Sequence, residues 1–177
     1  MVLLVMVIGV SCQKEALPEV QAAAAPQKGT DPIAKIAIDN NFTELVGALS
    51  YVDKELNAGL VDLFLNGKDQ YTVFAPTNEA FQALYKALGV SAITDLPAPL
   101  VLSVLQYHVT EGRRAANSVV PKNGEKVITT LLPSATFSVA PDLSIKAIGN
   151  TANIVSANIS ASNGIIHVID AVLLPIK

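Results

Sequence analysis

The chain has no tryptophan, a single cysteine, and only 4 tyrosines and 5 phenylalanines among its 177 residues. So few rings argue against a stacking platform for single-stranded nucleic acid or sugars. One cysteine excludes an internal disulfide, so burial must hold the fold together. With 51% hydrophobic residues the core can form without disulfide or metal staples. Charge of one sign is also missing: 12 basic residues face 15 acidic ones, and no basic cluster exceeds Arg113-Arg114. Nucleic-acid binding therefore lacks electrostatic support. The chain contains no GxSxG elbow, no GxxxxGK[ST] loop and no GxGxxG fingerprint. Acidic residues are spread singly, and the soft metal ligands amount to His108, His167 and Cys12. No catalytic residue, metal site, cofactor or small-molecule substrate is assigned. A Ser-His-Asp group converging in space stays open as an enzymatic alternative, a hydrolase.

What is present begins with an apolar run over residues 2–10, followed by Ser11-Cys12 and a polar stretch. A bilayer span needs about 20 apolar residues, so the run is too short to cross one. It fits the apolar part of a secretory signal. The placement of Cys12 resembles a bacterial lipoprotein signal, which implies lipidation of Cys12 as the first residue of the mature protein. Gln13 after it is compatible with export to an outer membrane. Residues 13–30 are Ala, Pro and Gln with scattered charges and read as a flexible tether, reaching on the order of 20–25 Å. The expected organisation is a signal segment over residues 1–12, the tether over 13–30 and one domain over 31–177.

In the domain, Asp31 and Pro32 read as the cap and first position of a helix. Phe42, Leu45, Val46 and Leu49 form the stripe of a second helix, which Asn41 could cap. "LVDLFLNG" reads as a third, closed by Gly67. Phe81, Leu84, Tyr85 and Leu88 mark a fourth that Gly89 ends; Val101, Val104, Leu105 and His108 mark a fifth. Beyond Thr110 the period falls to two, in "KVITTL", "TFSVA", "LSIKAI", "NIVSANI" and "IIHVIDAVLL". Helices first and antiparallel strands later predict an α+β fold. The early strand at Tyr71 must cross to the late ones, so one core is expected to join both halves.

"YTVFAPTNEAF" turns from strand to helix at Ala75-Pro76-Thr77. Pro76 stops strand pairing and the Thr77 hydroxyl can cap the helix. Val73 and Phe74 should face opposite sides of the sheet, with Phe81 and Leu84 closing over one of them. The corner reads as architecture. His108 ends its helix on the apolar side, where a charge would favour the helix C-terminus or a neutral ring would bond the backbone. His167 reads as a packed strand residue, and Asp170 as tying down a neighbouring turn.

At these residues the chain resembles the fasciclin-type (FAS1, beta-Ig-H3) domain. "FAPTNEAF" supplies Phe74, Pro76, Thr77, Asn78 and Phe81 of that family's first signature. "NGIIHVIDAVLLP" supplies Asn163, Gly164, His167, Asp170 and Pro175 of its second, and "QYHV" its central motif. The resemblance implies a seven-stranded antiparallel β-sandwich or wedge with about five packed helices. It also implies secreted or membrane-anchored proteins in cell adhesion, without a catalytic constellation. In some animal members a Tyr-His pair and an Asp-Ile pair are associated with integrin binding. Tyr107-His108 keeps the first, while Asn158-Ile159 stands in place of the second. These four residues are the candidate adhesion surface. The expected partner is an extracellular or envelope protein or polysaccharide, with the membrane reached only through the lipid. The alternative is an accessory envelope protein assembling with a partner of the same cell.

Overall fold

A computed structural model describes residues 28–176. Cys12, the signal segment and residues 13–27 lie outside it. Along the chain run α1 (Ile33–Asp39), α2 (Thr43–Leu56), α3 (Leu60–Asn66), β1 (Tyr71–Pro76) and α4 (Asn78–Leu88). A 3-10 turn (Ile93–Asp95), α5 (Ala98–Tyr107), β2 (Val109–Glu111) and α6 (Ala116–Val119) follow. The rest is β3 (Lys126–Thr129), β4 (Thr136–Val139), β5 (Ser144–Lys146), β6 (Thr151–Ala161) and β7 (Gly164–Ile169). The five expected helices and five late strands are all there. The fold is α+β. The 3-10 turn, β2 and α6 are additions, each too short to print a periodic pattern.

The seven strands form one sheet in the order β2-β1-β7-β6-β5-β4-β3. One pairing departs from the expected antiparallel pattern: β1 runs parallel to β7, with Phe74 opposite His167 and Pro76 opposite Ile169. Parallel neighbours need a long crossover, and here nearly everything between the two signatures serves as one. At the far edge Leu131 N donates to Val109 O at 2.8 Å, which draws the end of β3 toward β2 and curls the sheet into a wedge.

Because β1 and β7 are buried on both faces, alternation along each strand feeds two interiors, where one had been expected. Val73, Ala75, Ile166 and Val168 pack with Leu45, Leu49, Phe81 and Leu105 of the helices. Phe74 and Ile169 pack on the other side with Tyr107, Ile128, Phe137 and Ile145. At the corner the cap and the opposite facing are as read, but Pro76 does not stop the pairing. It lies opposite Ile169, and Thr77 N donates to Ile169 O at 3.1 Å. Thr77 Oγ1 accepts from Ala80 N at 3.2 Å, and Phe81 lies in the helical core while Leu88, at 51% exposure, does not.

Two other caps are corrected. The cap position of α1 is Pro32 and it carries no side-chain bond; the donor Ile33 N goes to Asn163 Oδ1 at 2.8 Å. Asn41 has a left-handed φ of 56° and does not cap α2. Instead Asn78 Oδ1 accepts from Glu44 N at 3.2 Å, and Asn78 Nδ2 donates to Asn41 O at 2.8 Å. The two signature asparagines thus cap helices from outside, which makes helix position a tertiary property. Asn78→Ala is expected to cost about 1 kcal/mol, the usual worth of a cap, in urea denaturation. Asn41→Gly, which keeps the backbone bond to Asn78, should change stability by only a few tenths of that.

Candidate functional site

Tyr107 and His108 occupy the end of α5, the only place where an α5 residue meets the second core. Tyr107 is fully buried; its hydroxyl donates to Thr136 O at 2.7 Å and accepts from Ile148 N at 3.2 Å. Its ring stands edge-on to Phe137 at 5.8 Å, and burial pushes the phenol above its ordinary pKa. His108 is 2% exposed. Its Nδ1 lies 2.7 Å from Val104 O and its Nε2 accepts from Leu173 N at 2.8 Å. A carbonyl can only accept, so Nδ1 carries the proton and the ring is neutral. Burial pushes its pKa down to about 4, so the cationic form favoured by a helix C-terminus is not the one present. This corrects the expected adhesion surface: Tyr107 and His108 are interior side chains, because the segment after β7 covers the helix end.

His167 is equally sealed. Its Nε2 donates to Arg114 O at 2.9 Å and its Nδ1 accepts from Asn158 N at 3.3 Å, while burial lowers its pKa. Arg114 is brought there by Thr72, whose hydroxyl accepts from Arg114 N at 2.8 Å and donates to Gly112 O at 2.7 Å. Asn158 sits in a bulge of β6 with φ 65°, a conformation asparagine tolerates better than most residues. Its Oδ1 accepts from Ala116 N at 2.7 Å and so holds the start of α6. Ile159 is half-buried against the helical core. The structure links two of the four candidate residues, Asn158 and His108, through interior groups and not on a shared exposed face. Asn158 bonds His167, whose ring lies 5.5 Å from that of Phe74, and Phe74 N donates to His108 O at 2.9 Å.

The remaining signature residues are structural. Asn163 is buried, donating through Nδ2 to Phe64 O at 3.0 Å besides capping α1. Asp170 is exposed and accepts from Asn153 N at 2.7 Å and Asn153 Nδ2 at 2.9 Å, which ties β6 and not a turn. Pro175 belongs to the segment after β7 and is half-buried. Arg113, read only as half of a small basic cluster, donates to Ala161 O at 2.8 Å, to Gly164 O and to the Ser160 hydroxyl. It holds the β6–β7 turn. Gly29 N donates to Ser160 Oγ at 3.0 Å, so docking to the domain starts within what reads as tether. Among the described residues every buried side-chain nitrogen or oxygen has a hydrogen-bond partner. Neither imidazole has a free nitrogen facing a cleft, as a general base acting on an external substrate needs.

The Fasciclin domain model matches residues 40–175. The chain belongs to the Fasciclin domain family. Protein sll1483 of Synechocystis is 35% identical to it over 159 residues, 88% of this chain and 81% of that protein. Cell surface glycolipoprotein MPB83 of Mycobacterium bovis is 34% identical over 147 residues, 82% of this chain and 61% of that one. Among solved structures, a FAS1 domain pair from the insect cell adhesion molecule Fasciclin I superposes with a TM-score of 0.52 at 20% identity. The superposition covers 73% of this chain and 45% of the pair. That likeness shows the fold. The Fasciclin domain here thus has a relative that is a cell-surface protein.

Proposed function

We propose that this Fasciclin domain is a non-catalytic binding module, held at a bacterial cell surface or in the periplasm by a lipid on Cys12. Its contacts in this reading are extracellular or envelope proteins or polysaccharides. The observation that carries the anchor is Cys12 itself, placed one residue after the apolar run of residues 2–10 and ahead of a stretch that meets the domain by Gly29. A relative that is a cell surface glycolipoprotein supports it. The sealed histidines support a surface that binds without reacting. With Tyr107 and His108 interior, contact falls to exposed loops and sheet edges.

The test compares wild type with Cys12→Ala by fractionation and metabolic lipid labelling, followed by external protease on intact cells. Wild type is expected to carry label and sediment with membranes, and Cys12→Ala to lose both. Label and membrane association that survive in Cys12→Ala would overturn the anchor.

A further inference from the structure

Between α4, α5 and the segment after β7 lies a cavity of about 100 Å³ with no polar atom on its wall. Phe81 and Leu84 come from α4, Val101 and Val104 from α5, and Val172 and Leu174 from the segment. This last wall is a strap without strand pairing of its own. Asn150 clasps it, donating through Nδ2 to Val172 O at 2.8 Å and accepting from Leu174 N at 3.0 Å. Gly149 N donates to Leu174 O at 3.0 Å, and His108 takes Leu173 N from beneath. A Cβ at Gly149 would lie 1.9 Å from Ile176 O, so only glycine lets the strap sit this close. Alternation along the strap sends Leu173 into the second core and Val172 and Leu174 toward the cavity.

Two further lining residues, Leu88 and Ile176, are 51% and 56% exposed. They mark where the apolar wall opens to solvent. Large apolar side chains left in water at a cavity mouth gain when a ligand covers them.

We propose that this cavity binds the end of an unbranched hydrocarbon chain, the acyl tail of a lipid or fatty acid, entering between Leu88 and Ile176. With no donor or acceptor on the wall, a sugar or peptide would have to give up its water without compensation. An all-carbon cavity of this size stays dry and takes apolar guests; one of about 150 Å³ accepts benzene in another protein. This smaller volume favours a linear chain over a ring. The strap, held by a few hydrogen bonds against otherwise helical walls, is the part that yields on entry. The site is separate from the anchor, so Cys12→Ala leaves it intact.

The experiment is a methyl-resolved NMR titration of the full chain, labelled at Leu and Val, with n-octane, sodium octanoate and phosphatidylcholine vesicles in separate arms. Octane and octanoate are expected to give saturable shifts at Leu84, Val104 and Val172, with intermolecular NOEs from the probe to those methyls. Octanoate without vesicles points to a free acid as the source; vesicles acting alone at the same methyls point to membrane lipid. Val104→Phe, which fills the cavity, should weaken octane binding at least about tenfold while the melting temperature holds or rises. Leu100→Phe serves the same purpose if Val104→Phe does not fold. Shifts that are absent, that scatter over exposed residues such as Val127 and Val155, that persist in the filled variants, or that follow protein concentration without probe would overturn the proposal.

Discussion

Asn163→Ala is expected to cost the domain about 2–6 kcal/mol. The side chain is buried and satisfies two backbone groups that have no alternative, Ile33 N at the start of α1 and Phe64 O near the end of α3. Truncation leaves both unpaired away from water, at about 1–3 kcal/mol each. The backbone cannot shift to compensate, because Asn163 O accepts from Tyr71 N at 3.1 Å. A Cβ on the adjoining Gly164 would also lie 2.0 Å from Tyr71 O, so that turn is pressed against β1. Asn163→Asp tests the chemistry more sharply. It keeps an acceptor for Ile33 N but sets a carboxylate against the Phe64 carbonyl, so it should be at least as destabilising as alanine. Urea denaturation of the three proteins at neutral pH decides. A loss under about 1 kcal/mol for Asn163→Ala would mean that α1 and α3 are held by packing alone. Since whole domains are stable by about 5–15 kcal/mol, the expected loss is a large part of the total.

Asparagine 163 also shows where sequence reading stops. Local pattern carried the helix stripes, the strand-to-helix corner, the Thr77 cap and the opposite facing of Val73 and Phe74, because each depends on neighbours within four residues. It assigned the caps of α1 and α2 to Asp31 and Asn41, the nearest residues of the right type. The actual acceptors, Asn163 and Asn78, are separated from them by long stretches of chain and come into reach only once the sheet has formed. The parallel register of β1 on β7 is invisible for the same reason: alternation fixes which face a residue takes, not which strand lies beside it. Splitting the interior in two follows from that pairing, since only a strand with neighbours on both edges and cover on both faces feeds two cores. At the candidate site the residue types were legible and their exposure was not. Tyr107 and His108 end an amphipathic helix, and the strap of residues 171–176 that seals them reads in sequence as the continuation of the last period-two segment. The cavity beside that strap was equally hidden, being made by several elements none of which looks unusual alone.

Acid is expected to cost this domain about 3 kcal/mol of stability through His108 alone. In the folded protein its pKa is about 4, against an ordinary value of 6.5. Between those values the unfolded chain holds a proton that the folded one does not, so stability rises with pH through this window. Above pH 6.5 the contribution is complete. As pH falls it is lost at up to about 1.4 kcal/mol per unit and is gone below pH 4. His167 acts in the same direction, its pKa also lowered by burial. The main physical cause is burial, which disfavours the charged ring, and protonation would add a collision of donors. Protonated His108 would point an N–H from Nε2 at Leu173 N, which already donates to it, in a pocket lined by Ile33, Leu105 and Val109 with no carboxylate among its lining residues. Urea denaturation of wild type from pH 7.5 to 4 should show this slope. His108→Gln should be less stable at pH 7.5 but lose about 3 kcal/mol less on acidification, and imidazole NMR should find the His108 ring still neutral at pH 5. An unchanged acid slope in the variant, or a ring titrating near pH 6.5 in the folded protein, would remove His108 from its place beneath the strap.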